Sequence, residues 1–218
     1  MSSILNYISS LFRSFLTSLG LYQKQGTILL LGLDNAGKTT FLHKLKTANS
    51  TTVFAPTEQP RVESFQYEGI KFAGWDLGGH EAVRYLWQDY VCEASAILFL
   101  IDATDHARLQ EAGLELDALI HGDNGLDGDD VLSGIPLAIM LNKCDLENAM
   151  SNEVIADEIC FEELQKSHSG RIKEDQEDYE DLMEEGQYQG RDLIRMYRMS
   201  VLRGEGYQDA FRWISTFL

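Results

Sequence analysis

The sequence predicts an α/β fold: a mostly parallel sheet of about six strands with helices on both faces. Three observations predict it. Apolar runs at Thr27–Leu31, Ala94–Ile101 and Ile135–Leu141 lack polar alternation, as strands buried on both faces do. Helical patterns separate them, at Thr40–Lys46 and Ala107–His121. Between the first run and the first helix lies Gly32-Leu33-Asp34-Asn35-Ala36-Gly37-Lys38-Thr39, a G-x-x-x-x-G-K-S/T match in the strand–helix context that such a match needs.

The bulk properties bound the answer. A chain of 218 residues suits one domain with a full core, and 44% hydrophobic with 24% charged residues is ordinary for a globular protein. The net charge of −17 is unevenly spread. Glu147 to Tyr188 carries fourteen acids against three bases. Clustered Lys and Arg are missing, so nucleic acid is not an expected partner. Three cysteines without metal spacing argue against a disulfide framework and point to a reducing, cytoplasmic setting. No apolar run reaches the roughly eighteen residues a spanning helix needs.

Residues 1–26 form an entry segment. Ile4, Ile8, Leu11, Phe15 and Leu19 recur at helical spacing, and Leu5, Phe12 and Leu16 widen the stripe. The opposite face is polar, with Arg13 as its one charge. Such a helix can lie in a membrane interface, with Ile4, Ile8, Leu11, Phe12 and Phe15 among the acyl chains. Packing on the domain core is the competing reading. Ser2 excludes N-myristoylation, and Arg13 argues against a cleaved signal peptide.

From residue 27 onward the elements carry chemistry. Glycines let the phosphate loop wrap an anion, and the following helix points free N–H groups at it. Lys38 adds a positive charge between the β- and γ-phosphates of a nucleotide, and the Thr39 hydroxyl can ligate Mg²⁺. The loop Thr51–Thr57 should supply a second hydroxyl; Thr57 is the candidate, with Thr51 and Thr52 competing on chemistry alone. Val62 to Trp75 reads as two antiparallel strands around Glu68-Gly69. Asp76, at the end of the second, can hold Mg²⁺ through water; the Gly79 N–H can bind a γ-phosphate; His80 can orient an attacking water. Glu81 to Cys92 is a helix or loop that exposes apolar groups. In Ala107–His121 the residues Leu109, Leu114, Leu116 and Leu119 are expected to face inward. The Gly- and Asp-rich stretch His121–Asp130 lacks the order and closing Glu of a calcium loop and reads as a solvated connection.

Asn142-Lys143-Cys144-Asp145 follows the next strand directly. Asp145 can accept two hydrogen bonds from guanine N1–H and N2–H₂, which adenine cannot offer. Asn142 braces the loop and touches the base edge, and the Lys143 stem can cover the ring. Ser151 to Gln165 is expected as a helix, Lys173 to Gln189 as a solvated acidic insertion, and Arg195 to Val201 as the last strand. Backbone N–H groups of Ser200, Val201 and Leu202 can meet guanine O6. Tyr207 to Leu218 reads as a closing amphipathic helix with Phe211, Ile214 and Phe217 inward.

These motifs stand in the order of a Ras-like P-loop small GTPase. Leu33-Asp34-Asn35-Ala36-Gly37-Lys38-Thr39-Thr40, Asp76-Leu77-Gly78-Gly79-His80-Glu81, Ser18-Leu19-Gly20-Leu21-Tyr22 and Gly206-Tyr207 with Phe211-Arg212-Trp213 resemble the secretion-associated Sar subfamily of the Arf family. The likeness covers most of the chain outside roughly residues 162–191. It implies an amphipathic membrane helix with linker over 1–26 and a GTPase domain over 27–218 with an acidic insertion. It implies GTP/GDP and Mg²⁺ as ligands. Asp34, Asn35, Ala36, Gly37, Lys38, Thr39, Thr40, Gly79, Asn142, Lys143, Asp145, Ser200, Val201 and Leu202 would lie on the nucleotide. Asp34, Thr39, Thr57 and Asp76 would lie near the metal, and His80 would be the catalytic residue. It implies slow hydrolysis stimulated by a COPII inner-coat subunit, a guanine nucleotide exchange factor, and a peripheral place on the endoplasmic reticulum membrane. Arg61, Trp75 and the acidic insertion depart from the subfamily pattern. They leave open an Arf-like or specialised Sar switch at another membrane, or a coat adaptor that binds guanine nucleotide without turning it over.

Overall fold

A computed structural model describes residues 24–47, 61–68, 70–121, 132, 134–171 and 192–218. The expected membrane helix, Thr57 and most of the acidic insertion lie outside them. β1 (Gln25–Leu31) leads into α1 (Lys38–Thr47), then β2 (Arg61–Tyr67), β3 (Ile70–Asp76), and two short helices, α2 (Glu81–Arg84) and α3 (Trp87–Val91). β4 (Ala96–Asp102), α4 (Leu109–His121), β5 (Leu137–Asn142), α5 (Asn152–Glu158), α6 (Phe161–Arg171), β6 (Ile194–Arg198) and α7 (Gln208–Ile214) follow.

The six strands run in the order β2-β3-β1-β4-β5-β6. Among the described residues only the β2–β3 strand pair is antiparallel; β1 pairs in parallel with β3 and β4, β4 with β5, and β5 with β6. Each parallel step is made by a crossover, so the carboxyl ends of β1, β3, β4 and β5 share one edge of the sheet. The phosphate loop, Asp76, Asp102 and Asn142 all sit there.

Alternation along the strands builds two cores. Leu29 and Leu31 of β1, with Ile97, Phe99 and Ile101 of β4, face Trp87, Val91, Leu109, Leu116 and Ile155. Ile28, Leu30, Leu98 and Leu100 face Phe41 and Leu42 of α1 and Phe211 and Ile214 of α7. Both faces of the central strands are therefore covered, as their unbroken apolar runs require. Among the described residues no helix is long and apolar enough to cross a membrane.

The structure corrects several expectations. Leu114 is 72% exposed; the inward face of α4 is Leu109, Ala112, Leu116, Leu119 and Ile120. Leu114 sits about 160° around the helix from Leu116, so its hydrophobicity could not place it on the same face. The single helix expected over Ser151–Gln165 is two, broken at Ile159-Cys160, where Cys160 adopts a positive φ of 54°. α6 then runs to Arg171, past the expected helix end at Gln165, and buries Leu164 and His168. The last strand stops at Arg198, and Ser200 instead bridges Glu205 across a tight turn. The closing helix ends at Ile214.

Candidate functional site: a phosphate loop tied to a base-reading loop

The loop between β1 and α1 folds back because Gly32 and Gly37 take φ of 125° and 102°, which side chains rarely adopt. A Cβ on Gly32 would lie 2.1 Å from the Leu100 carbonyl oxygen, so the loop rests on β4. Lys38 opens α1 and points back into the loop. Its ammonium donates to the carbonyls of Gly32 at 2.7 Å and Leu33 at 3.0 Å and is almost fully buried. Burial lowers Lys38 to about 8 from its ordinary 10.5; the Asp76 and Asp34 carboxylates oppose this without cancelling it. A cation held at such a cost is poised for an anion that restores its solvation.

The next residue reaches the sheet. Thr39 donates its hydroxyl to the buried Asp76 carboxylate at 2.7 Å. A hydroxyl and a carboxylate side by side form a hard oxygen donor set of the kind that suits Mg²⁺. Asp34 lies close enough to act on Lys38, and its backbone carbonyl accepts from Arg108 at 3.1 Å. Asn35 sits at the exposed tip of the loop with φ 63°, and Thr40 is half-buried in the first turn of α1.

Beyond Asp76 the chain passes directly over the phosphate loop. A Cβ on Gly79 would lie 2.5 Å from the Gly32 oxygen, 2.5 Å from Lys38 Nζ and 2.6 Å from the Asp34 nitrogen. Backbone meets backbone here, and only glycine fits. His80 follows on the surface and caps α2: its Nδ1 accepts the Ala82 N–H at 3.3 Å, which places the proton of the neutral ring on Nε2.

The candidate base-reading loop, Asn142–Asp145, is joined to the same place. Asn142, 3% exposed at the end of β5, donates through Nδ2 to the Ala36 carbonyl at 2.8 Å. Its Oδ1 accepts the Val201 N–H at 3.1 Å. One buried amide thus clamps the phosphate loop to the Ser200–Leu202 turn. The packing is close: a Cβ on Gly37 would lie 2.4 Å from Asn142 Nδ2. The Val201 N–H, expected to meet guanine O6, is engaged by Asn142, while Ser200 accepts the Arg203 N–H on its hydroxyl and Leu202 is 63% exposed. Lys143 takes a left-handed φ of 65° and pairs with the Asp102 carboxylate at 2.5 Å. Asp145 lines an open cavity of about 230 Å³ with Cys144, Met199, Ser200 and Arg203.

A profile of the ADP-ribosylation factor family matches residues 12–218. The chain belongs to that family of small GTPases. It is 37% identical over 208 residues to the Small COPII coat GTPase SAR1 of Giardia intestinalis, spanning 95% of this chain and 97% of the relative. It is 37% identical over 139 residues to ADP-ribosylation factor-like protein 3 of Chlamydomonas reinhardtii, spanning 63% of this chain and 74% of the relative. In fold it matches the Arl6 small GTPase of Trypanosoma brucei, solved with a nucleotide analogue, at a TM-score of 0.66 and 22% identity over 88% of this chain and 96% of that one.

Several residues at this edge of the Arf-family sheet escaped sequence reading. Asp102 anchors Lys143 and also accepts the Thr104 N–H and hydroxyl. Arg108 binds Asp105 and the Asp34 carbonyl. Arg84 and Trp87 bind the carbonyls of Gly79 and Gly78. Of the three departures from the Sar pattern, two are single residues: Trp75 packs against Tyr90 with ring centroids 5.0 Å apart, and Arg61 is exposed opposite Asp76 in the β2–β3 register.

The burial of Lys38 predicts a pH dependence. Its folded pKa of about 8 lies below the unfolded 10.5, so the unfolded chain holds the proton more tightly. The resulting penalty is fully present below pH 8 and is relieved as pH rises from 8 to 10.5. In urea unfolding of nucleotide-free protein, that rise should add about 3 kcal/mol to stability relative to Lys38→Met. A variant and wild type that move in parallel across the window would refute the assignment.

Proposed function

We propose that the protein is a GTP-gated switch that hydrolyses GTP to GDP and phosphate and works with a COPII coat at the endoplasmic reticulum membrane. One observation carries the reading. A single buried amide, Asn142, joins a phosphate-gripping loop to a base-reading loop. It does so in a chain that matches a COPII coat GTPase along nearly its whole length.

The residues divide the work. Lys38, the α1 N-terminus and the amides around Asn35, Ala36 and Gly37 take the phosphates. Gly79 offers its N–H to the third phosphate. Asp145 pairs with the guanine edge, the Lys143 stem covers the ring, and Ser200, Val201 and Leu202 close the far side. The Val201 amide would share its hydrogen between Asn142 and guanine O6. Thr39 and Asp76, with Thr57 and the nearby Asp34, would hold Mg²⁺, which when bound spreads charge off the phosphates. His80 would position the attacking water. Phosphoryl transfer of this kind depends on positioning and electrostatics, so unaided turnover would be slow and an arginine supplied by a coat subunit would speed it.

Residues 1–26 would act as the membrane helix and linker, and residues 27–218 as the switch domain. With the triphosphate bound, Ile4, Ile8, Leu11, Phe12 and Phe15 would insert, and an exchange factor on the membrane would load the protein. The identity shared with an ADP-ribosylation factor-like protein, together with Arg61 and Trp75, favours one alternative: an Arf-like switch at another membrane.

Single-turnover hydrolysis tests the enzyme. His80→Ala should lose activator-stimulated turnover by about a hundredfold or more while its guanine nucleotide affinity survives. Equal loss of both refutes the role, and no stimulated turnover in wild type leaves the non-hydrolysing adaptor. Liposome flotation tests the anchor: binding should need triphosphate and fail when Ile4, Ile8 and Phe12 are replaced by Asp. Flotation indifferent to those changes would sink it.

A further inference from the structure

Two peptide groups flank Gly79, and each is held by a different side chain. The first carries the Gly78 carbonyl and the Gly79 N–H. Its carbonyl accepts the Trp87 indole N–H at 3.0 Å, from a ring that is 3% exposed and packed edge-on against Phe99. In a trans peptide the C=O and N–H point opposite ways, so this bond turns the Gly79 N–H away from α3. The second peptide carries the Gly79 carbonyl, which accepts Arg84 Nε–H at 2.8 Å.

Arg84 is itself fixed. Its Nη1 donates to Glu115 at 2.6 Å and its Nη2 to Glu111 at 2.7 Å, and only 9% of its side chain is exposed. Both carboxylates stand on α4, which is bolted to the sheet through Leu109, Ala112, Leu116 and Ile120. A planar guanidinium with all three nitrogens engaged has little rotational freedom. The glycine that lies over the phosphate loop is therefore referenced to a helix packed on the sheet.

We propose that Arg84, braced by Glu111 and Glu115, is the positioning residue for recognition of the third phosphate. By holding the Gly79 carbonyl, and with Trp87 holding the preceding peptide, it sets the direction of the Gly79 N–H and the place from which His80 starts. The inference rests on the guanine nucleotide reading above. It separates two roles for the arginine. A mere strut would serve both nucleotides alike, whereas a positioning residue for Gly79 serves only the nucleotide that has a third phosphate.

The test compares dissociation rates of a fluorescent non-hydrolysable GTP analogue and of fluorescent GDP. Wild type is set against Arg84→Ala and against the double variant Glu111→Gln, Glu115→Gln, which keeps the arginine and the shape of the acids. Arg84→Ala should speed triphosphate release about tenfold relative to GDP release, the scale of one lost charge-assisted hydrogen bond. The double variant should move the same ratio in the same direction by about threefold. If Arg84→Ala does not fold, the double variant alone decides. An unchanged ratio, or equal acceleration of both nucleotides, overturns the inference. Wild type that binds neither nucleotide overturns the guanine nucleotide reading instead, a result distinguishable from either.

Discussion

The site depends on a contact between two stretches of backbone. Gly79 lies so close to Gly32, Asp34 and Lys38 that no side chain can stand between them. That approach brings the end of β3 onto the phosphate loop and puts Asp76 within reach of Thr39. It also explains why Lys38 is buried rather than solvated: its ammonium is roofed by the Gly79 peptide and satisfied by two loop carbonyls. On the proposed function, a third phosphate in this loop would meet Gly79, and movement of this one glycine would carry the number of phosphates to the rest of the molecule.

A second constraint joins the two ends of the ligand site. Asn142 spends its amide nitrogen on Ala36 and its oxygen on Val201, so three loops from separate parts of the chain share one buried side chain. Parallel topology makes this possible, because β1, β3, β4 and β5 deliver their carboxyl ends to a common edge. Ionic groups then set the loops that glycines leave free. Asp102 holds Lys143 in a left-handed turn, and Arg108 holds the carbonyl of Asp34.

Much of this was legible in the sequence, for a physical reason. A phosphate loop must have glycines at fixed spacing before a lysine, and strands buried on both faces must be continuously apolar, so both leave local marks. Leu114 misled because hydrophobicity says nothing of angle; the face of α4 is set by Leu109, Ala112 and Leu116 together. The break at Cys160 carried no glycine to announce it. Arg84 was invisible for a different reason: its partners on α4 lie 27 and 31 residues further along the chain, and only the fold brings them to it. The bond from the Val201 amide to Asn142 was equally out of reach, since it joins residues 59 apart.

The central claim is that a third phosphate is sensed at the Gly79 peptide. Amide hydrogen exchange, read residue by residue with GDP and then with a non-hydrolysable GTP analogue, addresses it directly. The account predicts that the Gly79 N–H exchanges at least about tenfold more slowly with the triphosphate, as a newly bonded amide should. Equal exchange at Gly79 in the two states would contradict it.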